Sequence, residues 1–152
     1  MSIVRIRLAE ESDRISLAKM SALLWPEASF EEHLKDVDNA ATSSTLPLTT
    51  LVAQDGTGEL VGFLEVGLRS HADGCNPAKP VGFVEGWFVQ EAFRNRGFGR
   101  DLMRAAEEWA RAQGCMEMAS DTWIDSDGSQ RAHEALGFEV VDRCVHYRKA
   151  LA

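Results

Sequence analysis

The 152-residue sequence predicts a mixed α+β fold, a mostly antiparallel sheet flanked by helices in the order β-α-α-β-β-β-α-β-α-β. Three observations lead to it. Val4, Ile6 and Leu8 alternate with Arg5 and Arg7, the period of a strand with one buried face. The apolar segments Leu48 to Gln54 and Leu60 to Arg69 flank Asp55-Gly56-Thr57-Gly58, whose residues favour a tight turn between antiparallel strands. The helical patterns stand in blocks rather than after every strand, which favours α+β over a doubly wound sheet.

Between the first strand and the hairpin, two helices are expected. Ser12 is placed to cap the first, whose Ile15, Leu17, Ala18, Met20, Ala22 and Leu24 repeat at helical spacing until Trp25-Pro26 stops it. Ser29-x-x-Glu32 is a capping box ahead of Phe30, Leu34, Val37 and Ala41, with a loop expected over Thr42 to Thr45. Beyond the hairpin, Val81 to Gln90 is apolar on both sides and reads as a central strand. A glycine loop follows, then a helix through Leu102, Met103, Ala106, Trp109 and Ala110 that ends at Gly114. Cys115 to Asp121 reads as a strand, Ser129 to Leu136 as a helix closed by Gly137, and Phe138 to Leu151 as a last strand. With no repeat and no linker, residues 1–152 are expected to form one domain.

Composition narrows the function. A net charge of −8 argues against a nucleic-acid binder, which needs Lys and Arg to displace phosphate counterions, and suits a cationic small molecule. No segment is long and apolar enough for a membrane span, and the start lacks the apolar core and cleavage site of a signal peptide, so a cytoplasmic protein is expected. Cys75, Cys115 and Cys144 are scattered, without a Cys-x-x-Cys pair, and read as structural thiols rather than a metal site.

The strongest motif is Arg94-Asn95-Arg96-Gly97-Phe98-Gly99, between a strand and a helix. Backbone N–H groups at a helix start attract anions, and glycine lets the chain approach phosphate oxygens. Arg94, Arg96 and Arg100 gather positive charge there in an otherwise acidic chain. No Gly-Lys-Ser/Thr follows, and the third glycine of a dinucleotide fingerprint is missing.

This loop between strand and helix, with Ala-x-x-x-x-Gly-Phe near the end, resembles the GNAT acetyltransferase superfamily. Leu24-Trp25-Pro26, Gly74-Cys75, Phe83 to Val89, Glu117 to Thr122 and Tyr147-Arg148-Lys149 are similar to its aminoglycoside 6′-N-acetyltransferases. The resemblance implies acetyl-CoA as cosubstrate, its pantetheine arm along Trp87, Phe88 and Val89 and its pyrophosphate on residues 94 to 99, with Ser126 where relatives often place an asparagine toward the CoA arm. It implies that Glu85, Asp121 and Asp142 hold a cationic aminoglycoside beside Trp25 and His71, and that the protein is a homodimer. Attack of the acceptor amine on the thioester would then need a base, for which Asp121 and Glu85 are the candidates, and Tyr147 is a candidate acid.

The residues alone leave alternatives. Glu85 in an apolar strand must face a cleft or pair with an arginine such as Arg69 or Arg143. Asp121 could cap a turn, Trp25 on its own reads as core beside a proline, and Tyr147 as strand packing. His133 stands where many relatives carry a tyrosine acid, and an exposed helix histidine without that role is as well supported.

Overall fold

In the computed structural model, which describes residues 4–43 and 45–152, the strand β1 (Arg5–Leu8) leads through a short turn into α1 (Arg14–Leu24) and α2 (Phe30–Ser43). The hairpin β2 (Leu48–Gln54) and β3 (Leu60–Arg69) has the bounds expected from the sequence. Then come β4 (Val81–Val89), α3 (Phe98–Ala112), β5 (Met118–Ser120) and α4 (Asp127–Ala135). The sheet order is β1-β2-β3-β4-β5, antiparallel throughout except for the parallel pair β4–β5. The α+β class is as expected.

Two apolar layers sandwich the sheet. On one face Leu102, Met103 and Ala106 of α3 pack against Leu51, Ala53, Val61, Leu64, Val66 and Val84; on the other, Leu17 and Met20 of α1 meet Val52, Leu60, Phe63 and Phe88. Burial of such side chains, at roughly 1.5–3 kcal/mol each, is the main force holding the helices to the sheet.

Three details depart from the sequence expectation. Ser12 does not cap α1. The chain enters α1 through a single 3-10 turn, Glu11–Asp13, closed by a reciprocal capping box between Glu10 and Asp13; the Asp13 carboxylate accepts the Glu10 N–H at 2.8 Å and two Arg7 guanidinium bonds at 2.7 and 3.0 Å, and makes no side-chain bond to the start of α1. These charge-assisted bonds, rather than a Ser12 hydroxyl, order the entry to the helix, and Arg7 holds the Asp13 carboxyl below the usual carboxylate range. The helix α2 starts as expected, with Ser29 Oγ accepting the Glu32 N–H at 3.1 Å, but runs on to Ser43. No glycine or proline stops it before Pro47, and Ser44, within the expected loop, lies outside the described residues.

The third departure is the last strand. Residues 138–152 form neither helix nor strand, and Tyr147 and Leu151 are 92% and 90% exposed. The alternating sequence is strand-like, but a strand exists only where a neighbour supplies hydrogen bonds, and none does within one chain. The strand expected over Cys115 to Asp121 is likewise paired only at Met118–Ser120, because β4 offers it only Gly82, Phe83 and Val84.

Candidate active site

The site is built around an irregularity in β4. Along β3 the register runs Glu65↔Gly86 and then Val66↔Val84, so Glu85 is an extra residue without a rung partner, a β-bulge. Gly82 and Val84 face α3: a Cβ on Gly82 would strike Ala110, and Val84 packs in the α3 layer. Gly86 and Phe88 face α1, where Trp25 lies. Alternation from Val84 puts Glu85 on the α1 face, followed there by Gly86. The bulge thus aims a carboxylate out of a core strand.

The same region is where the sheet opens. The strand β5 pairs with β4 only as far as Ser120↔Val84, so beyond that rung β4 has a free edge. The Gln90 N–H bonds the Val61 carbonyl at 2.8 Å, which by alternation turns the N–H groups of Trp87 and Val89 to the free edge and that of Phe88 to β3. Asp121 follows Ser120 as Glu85 follows Val84, so the two carboxylates stand one step past the last shared rung, on opposite lips of the opening. Ser120 bonds His133 of α4 on the α3 face, and Asp121 is the exposed residue at which the chain leaves β5.

Trp25 ends α1 and closes this space from above. A Cβ on Gly86 would lie 2.5 Å from Trp25 Cη2, so the indole rests directly on the glycine backbone. Phe63 meets the indole edge-on at 6.3 Å, and the ring of His33, only 5% exposed, stacks on it at 6.2 Å. His33 Nε2–H donates to the Trp25 carbonyl at 2.8 Å, which fixes the tautomer and the chain at the Trp25-Pro26 turn.

Glu85 is not alone. Arg69 donates two bonds to its carboxylate, at 3.0 and 2.9 Å, and lies 3.5 Å over the Phe83 ring. The two alternatives left open by the sequence, a cleft-facing carboxylate and an arginine pair, therefore coexist: the pair is half-open to solvent, with Glu85 31% exposed. His33, Gly86 and Glu65 were missed by sequence reasoning. Glu65 carried the same signal as Glu85, an acid inside the apolar run Leu60–Arg69.

The glycine loop has the geometry of an anion cradle. Gly97 precedes α3 with φ +88°, Asn95 also has positive φ at 64°, and the first helical bond runs from the Asp101 N–H to the Gly97 carbonyl at 3.0 Å. The N–H groups of Phe98, Gly99 and Arg100 consequently lack intrahelical acceptors and converge on one spot. Trp87 Nε1–H donates to the Gly99 carbonyl at 3.1 Å, tying β4 to the loop through its side chain and leaving its backbone for the free edge. Arg94 Nε–H donates to the Val89 carbonyl at 2.8 Å, while Arg94, Arg96 and Arg100 are exposed around the cradle. A diphosphate on the loop and an extended amide-bearing arm along β4 fit these groups.

The remaining candidates lie farther out. Ser126 precedes α4 without bonding its N-terminus through its side chain. His71 is exposed in the loop after β3; Val141 lies against Gly74 of that loop, which brings the neighbouring Asp142 to it. Asp142 bonds only the adjacent Arg143 N–H, and Tyr147 is on the exposed tail. His133 is not the exposed residue the sequence allowed: Nδ1–H donates to the Ser129 carbonyl at 2.7 Å, Nε2 meets Ser120 Oγ at 2.8 Å, and Trp87 and Phe138 contact the ring edgewise.

A helix-start anion cradle joined to a strand with an open backbone edge is the layout expected of an acetyltransferase, and the comparisons with known proteins agree. The model of the acetyltransferase (GNAT) family matches residues 16–138. The chain is 37% identical over 147 residues to aminoglycoside N(6')-acetyltransferase type 1 of Klebsiella aerogenes, covering 96% of each protein. It is 41% identical over 129 residues to that of Serratia marcescens, covering 84% of this chain and 86% of that one. Its structure superposes on that of AAC(6')-Iy in complex with the bisubstrate analog CoA-S-monomethyl-acetylneamine with a TM-score of 0.86, at 34% identity over 97% of this chain and 99% of the other. The chain belongs to the GNAT acetyltransferase family, in its aminoglycoside N(6')-acetyltransferase branch.

Proposed function

We propose that residues 1–152 act as one cytoplasmic acetyltransferase domain that moves the acetyl group of acetyl-CoA to the 6′-amine of an aminoglycoside and so confers resistance to it. The observation that carries this reading is the placement of Glu85 and Asp121 one step past the last β4–β5 rung, where Trp25 rests on the neighbouring Gly86. The relatives named for this activity support it.

The acceptor arrives as a polycation, and carboxylates that attract it also stabilise its ammonium form. The pairing with Arg69 suits Glu85 to holding and orienting an amine that does not react, whereas Asp121, exposed and without an ion pair among the described residues, suits the role of proton acceptor as attack proceeds. The attacking nitrogen forms a bond to the acetyl carbonyl carbon as the carbon–sulfur bond breaks. Negative charge on the carbonyl oxygen is met by a free-edge N–H of Trp87 or Val89. The departing thiolate, with a pKa near that of a cysteine, about 8.5, needs only weak acid assistance. Residues 94 to 99 hold the pyrophosphate and Ser126 borders the arm.

The same reading includes a homodimer. The tail 138–152, strand-like in sequence and exposed at Val140, Val141, Val145, Tyr147 and Leu151, needs a sheet edge, and β5 has an unpaired outer edge beside exposed Met116, Trp123 and Ile124. Docked on a second copy, the end of the tail carries Tyr147 with it, which is how this residue would join a site. Light scattering should return twice the chain mass, and a chain lacking 138–152 should be monomeric; a monomeric full-length protein overturns the dimer.

Regiochemistry is tested by following CoA release with neomycin, which has a 6′-amine, and paromomycin, which has a hydroxyl there. Neomycin should be turned over and paromomycin should not. Equal rates overturn the 6′ assignment.

A further inference from the structure

We propose that Glu65 is an acceptor-binding residue, pairing with an ammonium group of the aminoglycoside other than the one that is acetylated. The proposal rests on the acceptor reading above and deepens it.

Glu65 is the rung partner of Gly86, the glycine on which Trp25 rests, and with Phe63 two residues earlier it faces the α1 side of the sheet. Directly opposed positions on neighbouring strands lie about 5 Å apart, so the Glu65 side chain leaves the sheet beside the glycine on which Trp25 rests, one strand away from Glu85. Glu65 and Glu85 thus occupy neighbouring strands on one face of the sheet.

What singles Glu65 out is its isolation. Among the described residues Glu85 has Arg69, Asp13 has Arg7 and Asp38 has Arg14, but the carboxyl of Glu65 makes no hydrogen bond and no ion pair. It is half-buried, and it borders a cavity of about 460 Å³ between α1, α2 and the β2–β3 strands, lined also by Leu17, Ser21 and Phe63. A carboxylate withdrawn from water without a cation is costly, and burial, then the charges of Glu85 and Asp36, push the Glu65 carboxyl above its ordinary value. A bound ammonium supplies the missing partner. The cavity offers room for a ring of the acceptor.

Steady-state kinetics with neomycin and acetyl-CoA on the wild type, Glu65→Gln and Glu65→Asp test the assignment. Glu65→Gln should raise the neomycin KM about tenfold with the acetyl-CoA KM and kcat within twofold. Glu65→Asp, which keeps the charge on a shorter arm, should recover part of the loss. The melting temperature of Glu65→Gln should equal or exceed that of the wild type, because a desolvated charge has been removed. Turnover of neomycin by the wild type with an unchanged neomycin KM in Glu65→Gln overturns the role of Glu65 alone, as does a fall in melting temperature with unchanged KM. Failure of the wild type to acetylate neomycin removes the acceptor reading, and the role of Glu65 with it.

Discussion

Gly97→Ala should raise the KM for acetyl-CoA by about tenfold or more while the acceptor KM changes little. Gly97 sits at φ +88° immediately before α3, a conformation that costs an L-residue roughly 1–2 kcal/mol, and about 1.4 kcal/mol is a factor of ten in an equilibrium constant. A Cβ there would also lie 2.8 Å from Arg100 Nη2, but that is the end of a flexible side chain and can swing aside, so the backbone term dominates. Relief of the strain means rotating the peptide that leads into Phe98, and with it the N–H groups of the cradle. Titration of CoA by calorimetry, with circular dichroism as the check on folding, measures the effect. Unchanged CoA affinity would place the pyrophosphate somewhere else.

Gly86→Ala should act on the other substrate. Its Cβ would lie 2.5 and 3.0 Å from Trp25 Cη2 and Cζ2 and 3.4 Å from Phe63 Cε2, all atoms of rigid rings. Trp25 cannot yield easily, because His33 stacks on the indole and holds the Trp25 carbonyl. Overpacking of this kind costs roughly 1–3 kcal/mol. Part of it should appear as a lower melting temperature, and the rest as a neomycin KM raised about tenfold as the indole tips into the acceptor space. The acetyl-CoA KM should stay within twofold. A variant with lowered stability and unaltered neomycin KM would show that Trp25 is only packing.

The contrast between these two glycines says what a sequence can disclose. Gly97 was legible because its role is local: a positive-φ glycine before a helix, with arginines around it, is written in consecutive residues. The hairpin at Asp55 was legible for the same reason, its carboxylate accepting the Thr57 and Glu59 N–H groups as turn chemistry requires. Gly86 is required by Trp25, some sixty residues earlier in the chain, and nothing in the local string says so. Glu85 and Asp121 could be singled out as acids at unusual places, but their placement on facing lips follows from the register of two strands. The pairing of Arg69 with Glu85 depends on an unforeseen bulge, and the turn into α1 is braced by Arg7 of β1 on Asp13, a contact between separate elements. The tail read as a strand because alternation reports what a segment can pair with and is silent on whether the partner belongs to the same chain.

The extra residue in β4 divides that strand between two tenants. Up to Val84 the even-numbered positions belong to the α3 core, whereas from Gly86 onward the even-numbered positions belong to the surface under Trp25 and the odd-numbered Trp87 and Val89 pack toward α3. Parity along the strand reverses at Glu85. Insertion or deletion of one residue at that point would exchange the two inventories, turning the recognition face inward for half the strand, so the acceptor surface can diversify by substitution but hardly by changes of length.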